Sequence, residues 1–435
     1  MDMDAIIAEA AAAVGLAEGE AGVRDVLRAI AVSGTSPASR VSRSTGLPVP
    51  IVAAICNELR RRSVVDATRP ARLTPWAREA LAGAVVGDLT CPSCGGLGQR
   101  VPAGLAGLAA ELERAAAGAP RARPDLDQAH CTVRTKIHRV LRMHEAGALA
   151  GARIALLGDD DLIAVAIAAF ARATGTAARI RRLAVVDSDP AVLRWIAEQA
   201  AGSGVGLELV EHDLRRPLPA GLAGGFDVAC TDPPYTVPGA ELFLSRAVSV
   251  LDSRPGRHVF FSFGPRRPEE ALATQRLIAR LGLVIRSVTP NFNSYAGAGI
   301  LAGTSHLYHL RSAAAARPVI EGDYDGPLYT ADARAARARP YRCAGCGAVH
   351  LVGPAAGPGR ESGPDGRGGG PGRGHGPGRA GGGRAGGSPD PAWALIAELR
   401  AAGCPACGGT TFRPMPRSAA RPRGPAARRR AGGPA

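Results

Sequence analysis

The spacing of apolar residues changes character several times along the chain, and each change marks a different kind of structure. Val23, Val26, Leu27 and Ile30 recur at helical spacing, and Ser36-Pro37 opens a second helix at a suitable cap. The turn Thr45-Gly46-Leu47-Pro48 then leads into a third helix whose apolar side is Val52, Ile55, Cys56 and Leu59. Val64-Val65 and the segment reaching Leu73 read as two short strands. Helix, helix–turn–helix and hairpin together predict a winged-helix domain over residues 20–85. Residues 86–148 read as a linker that carries a cysteine pair.

Residues 149–315 alternate between short apolar runs and helical patterns. Strands are expected at Arg153–Leu157, Leu183–Val186, Leu207–Val210 and Phe226–Cys230, then at His258–Phe263, Leu283–Thr289 and Leu307–Leu310. Helices are expected at 162–173 and from Pro190 to about Ala201. Strands alternating with helices predict an α/β, Rossmann-like, doubly wound parallel sheet, in which ligands sit beyond the carboxyl ends of the strands.

The last hundred residues read differently. Cys343-Ala-Gly-Cys346 and Cys404-Pro-Ala-Cys407 are each followed by glycine, and two such knuckles suit one tetrahedral thiolate site for structural zinc. They predict a zinc-ribbon-like module over 340–413. Within it, 17 of the 39 residues from Gly353 to Pro391 are glycine and seven are proline, so 353–391 is expected to be a disordered insertion. A basic arm is expected over 414–435. The earlier pair Cys91-Pro-Ser-Cys94 supplies two of four ligands for a possible second site, and His130 with Cys131 would complete it.

Charge sharpens this division. The 435-residue chain carries a net charge of +15, but residues 331–435 account for +12 of it, with 17 arginines against five acids. The remaining 330 residues are therefore close to neutral. The whole-chain value suggests nucleic acid, through the winged helix (Arg60, Arg61, Arg62) or the tail, yet most of the chain does not share that bias. The amino terminus lacks the positive start of a secretory signal, and the apolar stretch 151–171 is interrupted by Asp159, Asp160 and Asp161, which excludes a membrane span. Cysteines in C-x-x-C pairs fit metal better than disulfides, so a cytoplasmic protein is expected.

Candidate chemistry lies at the strand ends. The first strand runs into Gly158-Asp159-Asp160-Asp161. Three carboxylates would repel a phosphate and raise one another's pKa unless cations come to them, so a sulfonium or polycation site is expected. One Asp at a helix start would also satisfy the local dipole. After the second strand, Asp187 and Asp189 are placed to accept ribose hydroxyls, and after the third, Asp213 is placed near an adenine amine. The fourth ends in Thr231-Asp232-Pro233-Pro234-Tyr235-Thr236, where the prolines hold the backbone extended, Asp232 presents oxygen to an amine, and Tyr235 is placed either to stack on a base or to line an amine channel.

Asp127-Gln128-Ala129-His130-Cys131-Thr132, Leu157-Gly-Asp-Asp-Asp-Leu162, Thr231-Asp-Pro-Pro-Tyr-Thr236 and Asn291-Phe-Asn-Ser-Tyr295 occur in this order. Together they resemble the branched-chain polyamine synthases, over about residues 20–312; the carboxyl end is not part of that pattern. The resemblance implies a sheet of the class I methyltransferase/spermidine synthase type and aminopropyl transfer from decarboxylated S-adenosylmethionine to spermidine. It also implies that an aspartate of the triple-Asp motif is central to catalysis, and a homodimer. On this reading Asp159, Asp160 and Asp232 are catalytic, and Asp161, Pro233, Tyr235, Asn291 and Asn293 bind the polyamine. Gly158, Asp187, Asp189 and Asp213 hold the nucleoside. Two rivals remain: a nucleic-acid amino-methyltransferase, from Asp-Pro-Pro-Tyr, and a non-catalytic DNA-binding regulator built from the winged helix and the ribbon.

Overall fold

The computed structural model describes residues 2–83, 88–123, 126–296, 303–329, 339–352, 399–400 and 403–415. The chain divides into two compact units, Met1–Tyr329 and Thr330–Ala435.

The first unit begins with helices α1 (Met3–Val14), α2 (Gly19–Ser33), α3 (Ala38–Thr45), α4 (Val49–Arg61) and α5 (Pro75–Ala80). Their apolar stripes close one core containing Val23, Val26, Leu27, Ile30, Val52, Ile55 and Leu59, the positions that share a face at a 3.6-residue period. The expected hairpin is reduced to single bridges, Val65 to Leu73 and Ser36 to Ala71.

Two helices follow, α6 (Gly107–Ala117) and α7 (Val133–Glu145), within the segment expected to be a linker. They are part of the main core instead: Leu108, Leu112, Ile137, Val140 and Met143 pack against the sheet with Ile154, Leu156 and Ile163. Thr132 caps α7 by accepting from Thr135 N, and Thr132 N donates to Ser294 O at 2.8 Å.

The sheet is assembled from β1 (Arg153–Leu157), β2 (Arg182–Asp187), β3 (Leu207–Glu211), β4 (Val228–Thr231), β5 (His258–Phe263), β6 (Leu283–Ser294) and β7 (Thr304–Ser312). Helices α8 (Ile163–Thr174), α9 (Pro190–Ala200), α10 (Val237–Val250) and α11 (Pro268–Arg280) follow β1, β2, β4 and β5, while β3 runs to β4 without one. Strand order is β3-β2-β1-β4-β5-β7-β6. The first five strands are parallel, but β7 runs antiparallel to both β5 and β6, so the sheet is mixed and not wholly parallel. No helix separates β6 from β7 in the pattern, and two strands joined without a crossover pair antiparallel. Strand β6 extends five residues past the expected Thr289, through bulges at Ile285/Ser287 and Thr289/Asn293. It is the edge strand, which is where Pro290 is tolerated. No described helix is long and apolar enough to cross a membrane.

The second unit contains a three-stranded sheet of β8 (Arg339–Cys343), β9 (Val349–Val352) and β10 (Phe412–Pro414), in the order β10-β8-β9. The expected insertion 353–391 and, beyond Met415, the basic arm lie outside the described residues.

Candidate active site

The carboxyl ends of β1, β2, β3 and β4 open onto one cleft, lined by Gly158, Asp160, Asp161, Asp187, Asp213, Asp232, Pro233 and Tyr235 among others. It is the position that a parallel α/β sheet leaves for a ligand. Eight of the residues expected at the site therefore come together.

Gly158 turns the chain out of β1 with φ at +74°, and its N donates to Val186 O at 2.8 Å. Asp159 then folds back. Its carboxylate accepts from Ile163 N at 2.7 Å and Ala164 N at 2.8 Å, capping α8, and its residue exposure is 1%. Burial pushes its pKa up to about 8 against the pull of those two N–H groups. Asp159 does not line the cleft, so one Asp of the three serves the helix terminus and two face the ligand space.

Asp161 is tied down at both oxygens, by Cys131 N at 2.6 Å and by Arg139 Nη1 at 2.7 Å. Burial works against its charge, but Arg139 and Lys136 outweigh it and hold the carboxyl below its ordinary range. Asp232 accepts from Arg139 Nη2 at 2.7 Å and from Tyr295 OH at 2.5 Å. Burial pushes Asp232 up to about 7, with Arg139 opposing and Asp161 adding to the rise. The Asp160 carboxylate accepts no hydrogen bond from any described residue; the Asp160 carbonyl accepts one from His130 Nδ1 at 2.7 Å. Burial, then the neighbouring Asp161, Asp232, Asp187 and Asp159, raises Asp160 well above the ordinary carboxyl range. The cluster thus holds two carboxylates with fixed partners and one without, a division that its amino-acid types alone do not show.

Asp187 accepts from Asp159 N at 2.9 Å and Asp189 N at 2.8 Å, which braces the two loops against each other, and burial raises its pKa. Asp213 pairs with Arg215 Nη2 at 2.7 Å; burial opposes its charge, and Arg215 holds the carboxyl low. Asp189 is not among the cleft residues, because its carboxylate caps α9 through Ala191 N at 2.8 Å. The two asparagines also lie elsewhere. Asn293 is fully buried, accepting from Arg139 Nε at 2.7 Å and donating to Ser305 Oγ at 2.8 Å. Asn291, with φ at +53°, donates to Arg43 O at the end of α3. Asn293 stands behind the site, and Asn291 ties the amino-terminal helices to β6.

Arg139, Lys136 and Tyr295 are the functional residues that sequence reasoning missed. Lys136, 2% exposed, donates to Asp161 O and lies 3.6 Å from Cys131 Sγ. Tyr295 OH accepts from Arg139 Nη2 at 3.0 Å and from Tyr235 OH at 2.8 Å. The segment 130–132 bonds alongside 294–296, which brings Arg139 and Tyr295 to the same place. A signal existed: several buried acids at adjoining strand ends require a buried cation, and α7 carries basic residues on positions that its neighbours bury.

His130 and Cys131 do not complete a site with Cys91 and Cys94. His130 Nε2 meets Pro120 O at 2.8 Å, and Cys131 is buried against Asp161. In the second unit, Cys343, Cys346, Cys404 and Cys407 place their sulfurs within 4.8 Å of one another. The Cys343–Cys407 and Cys346–Cys404 separations are both 3.6 Å. A tetrahedral zinc thiolate with bonds of about 2.3 Å needs sulfurs about 3.8 Å apart, so the residues present fit zinc. His350 Nε2 lies 3.2 Å from Cys404 Sγ, the kind of outer contact that orients a ligand.

Comparison with known proteins places this geometry. Residues 108–325 match the model of the branched-chain polyamine synthase A C-terminal domain. The chain is 33% identical over 343 residues to an uncharacterised protein of Methanocaldococcus jannaschii, spanning 78% of this chain and 84% of that one. It is 30% identical over 292 residues to the N(4)-bis(aminopropyl)spermidine synthase of Thermococcus kodakarensis, spanning 65% of this chain and 80% of that one. Its fold is similar to the crystal structure of the branched-chain polyamine synthase C9 mutein from Thermus thermophilus in complex with N4-aminopropylspermidine and 5′-methylthioadenosine. The TM-score is 0.61 at 25% identity, covering 76% of this chain and 99% of that one. The matched span contains the acidic loop, the Asp-Pro-Pro-Tyr strand end and the helix that carries Arg139, and with them the chain belongs to the branched-chain polyamine synthase family.

Proposed function

We propose that this protein transfers aminopropyl groups from decarboxylated S-adenosylmethionine to the central secondary amine of spermidine, forming a branched polyamine and methylthioadenosine. The observation that carries this reading is the cleft carboxylate without a partner among the described residues, Asp160, beside Asp161 and Asp232, which Arg139 engages. Ordinary S-adenosylmethionine would bring its own carboxylate to this loop, whereas the decarboxylated donor brings a sulfonium and an ammonium. Gly158, Asp187 and Asp213 are assigned to the nucleoside end, and Asp161, Asp232, Pro233 and Tyr235 to the amine end.

The chemistry is an in-line displacement. The lone pair of the central nitrogen attacks the methylene beside sulfur; the new N–C bond forms as the C–S bond breaks, and the bonding pair leaves with sulfur as a neutral thioether. The proton on the attacking nitrogen then passes to Asp160. Burial and neighbouring acids favour the neutral form of Asp160. Arriving cations reverse that balance, so the base is ionised when substrates are bound. Asp161, held ionised by Arg139, is a poor base and a good anchor. The outer ammoniums of spermidine lower the proton affinity of the central amine, which leaves it the reactive nitrogen. Asp232 positions it, and general-base assistance of this kind contributes roughly 100- to 10,000-fold.

The amino-terminal helices are assigned to a winged helix that serves docking and not DNA contact. Arg61 and Arg62 pair with Glu58, and Arg62 also with Glu9, which leaves them occupied within the module. The second unit is assigned to a zinc ribbon, and its reduced thiolates suit the cytoplasm. The test of the activity supplies spermidine with either donor: methylthioadenosine is expected from the decarboxylated form, and methyl transfer to nucleic acid without an aminopropyl product would overturn it.

A further inference from the structure

Three segments of the chain share one local turn. In Cys343–Gly347 and Cys404–Gly408, the glycine after the second cysteine has positive φ, at +77° and +71°, and its N donates to the first cysteine's carbonyl at 3.1 and 2.7 Å. Cys91–Gly95 repeats this turn, with Gly95 at +59° and Gly95 N donating to Cys91 O at 2.8 Å. All three have one thiol exposed and its mate buried. The first two knuckles face each other and close a four-sulfur site. The third has no such mate.

Among the described residues nothing supplies the two missing ligands. Of the nine cysteines, six lie in the three knuckles. Cys56 is in the core of the amino-terminal helices, Cys131 is in the core against the sheet, and Cys230 packs against that core. Among the described residues no His, Cys, Asp or Glu joins Cys91 and Cys94 in a group of three. The surroundings point outward. Leu89 is 83% exposed and Val101 is 38% exposed, so two large apolar side chains flank the knuckle in solvent. Beneath it, Arg134 Nη2 donates to Cys94 O at 3.3 Å and Arg142 Nη2 to Leu97 O at 2.6 Å. Two guanidinium groups against the loop suit a zinc tetrathiolate, whose net charge is −2, and do not suit a neutral two-sulfur, two-imidazole site.

We propose that Cys91 and Cys94 are half of a zinc site completed by the same two cysteines of a second copy of this chain, with Leu89 and Val101 covered in the interface. A two-fold interface is self-complementary, so a half-site on its axis is closed by its own image. The shared site also braces α7, the helix that holds Arg139, through Arg134 and Arg142.

The inference is independent of the assigned reaction and is tested on the full-length chain, saturated with zinc chloride and freed of excess. Metal content by mass spectrometry and molar mass by light scattering are read together. A dimer holding about 1.5 zinc ions per chain is expected, one from each ribbon and one shared. The double variant C91S/C94S is expected to hold about 1.0 and C404S/C407S about 0.5. A failure of the ribbon reading appears separately, as no loss of zinc in C404S/C407S. The proposal is overturned if C91S/C94S binds as much zinc as the wild type, or if the knuckle zinc is present in a monomer. The wild-type stoichiometry and mass decide the matter even if a variant misfolds.

Discussion

Arg139 Nη1 lies 2.7 Å from Asp161 Oδ2, joining the middle of α7 to the acidic loop after β1. Its other terminal nitrogen meets Asp232 at the same distance, so one buried guanidinium spans two of the strand ends that build the cleft. Exposure of the Arg139 and Asp161 side chains is only 9% and 4%, and water does little to screen them.

Removing that cation strands two buried carboxylates. Arg139→Gln is expected to destabilise the protein by about 3–5 kcal/mol. In protein that remains folded, Asp232 loses the charge that opposes its rise from burial, so the acid limb of the pH–rate profile moves to higher pH. Arg139→Lys restores charge but not the fork, and should recover part of the stability while KM for the amine stays raised. An unshifted acid limb in Arg139→Gln would count against the clamp.

The two neighbouring aspartates separate by measurement. Asp160→Asn is expected to lower kcat by roughly 100- to 10,000-fold with the melting temperature unchanged or higher, because an uncompensated buried acid is removed. Asp159→Ala takes away the cap of α8 and should cost about 1 kcal/mol of stability, with the smaller effect on kcat. Thermal unfolding and steady-state kinetics on both variants check this; the reverse pattern would exchange the two roles.

Stability should depend on pH in a direction set by the raised carboxyls. Asp159 titrates at about 8 and Asp232 at about 7, both above the unfolded value of roughly 3.9. A carboxyl whose folded pKa is raised contributes stability that is complete below the unfolded pKa and lost as pH rises through the folded one. The melting temperature of the substrate-free protein is therefore expected to fall from about pH 4 to about pH 8 and to level off above that. Spermidine, whose ammoniums favour the ionised carboxylates, should raise it more at pH 8 than at pH 6. Scanning calorimetry with and without spermidine reads both effects.

Residues 330–435 form a unit of their own, and every residue assigned to transfer lies before them. A chain ending at Tyr329, which keeps Leu328 and Tyr329 in the cleft lining, is expected to match the full chain in kcat and KM. Loss of transfer on truncation would make the second unit part of the catalytic machinery.

Much of this was legible in the residues themselves. The strand ends were recognisable because short apolar runs broke at Gly158, Asp187, Glu211 and Asp232, and the acids collected there for a physical reason. What the pattern hid was tertiary. Asp159 and Asp160 are chemically identical neighbours, and only the start of α8 decides that one caps and the other faces the ligand. Arg139 sits in a helix that reads as polar, and its burial follows from carboxylates far away in sequence. Asn291 and Asn293 are two residues apart in one strand, yet bulges in β6 send one to α3 and the other to Arg139. The antiparallel β6–β7 pair follows from the missing helix between the two strands, a signal present in the pattern that the expectation of a wholly parallel sheet passed over.

The most direct test of the reaction is the structure of its product. Spermidine and decarboxylated S-adenosylmethionine are incubated with the purified chain, and the amines are resolved by mass spectrometry and NMR. Alkylation at the central nitrogen is expected, giving N4-aminopropylspermidine with one methylthioadenosine for each group transferred. A linear tetraamine from attack by a terminal nitrogen, or no amine product beside turnover of S-adenosylmethionine itself, would contradict it.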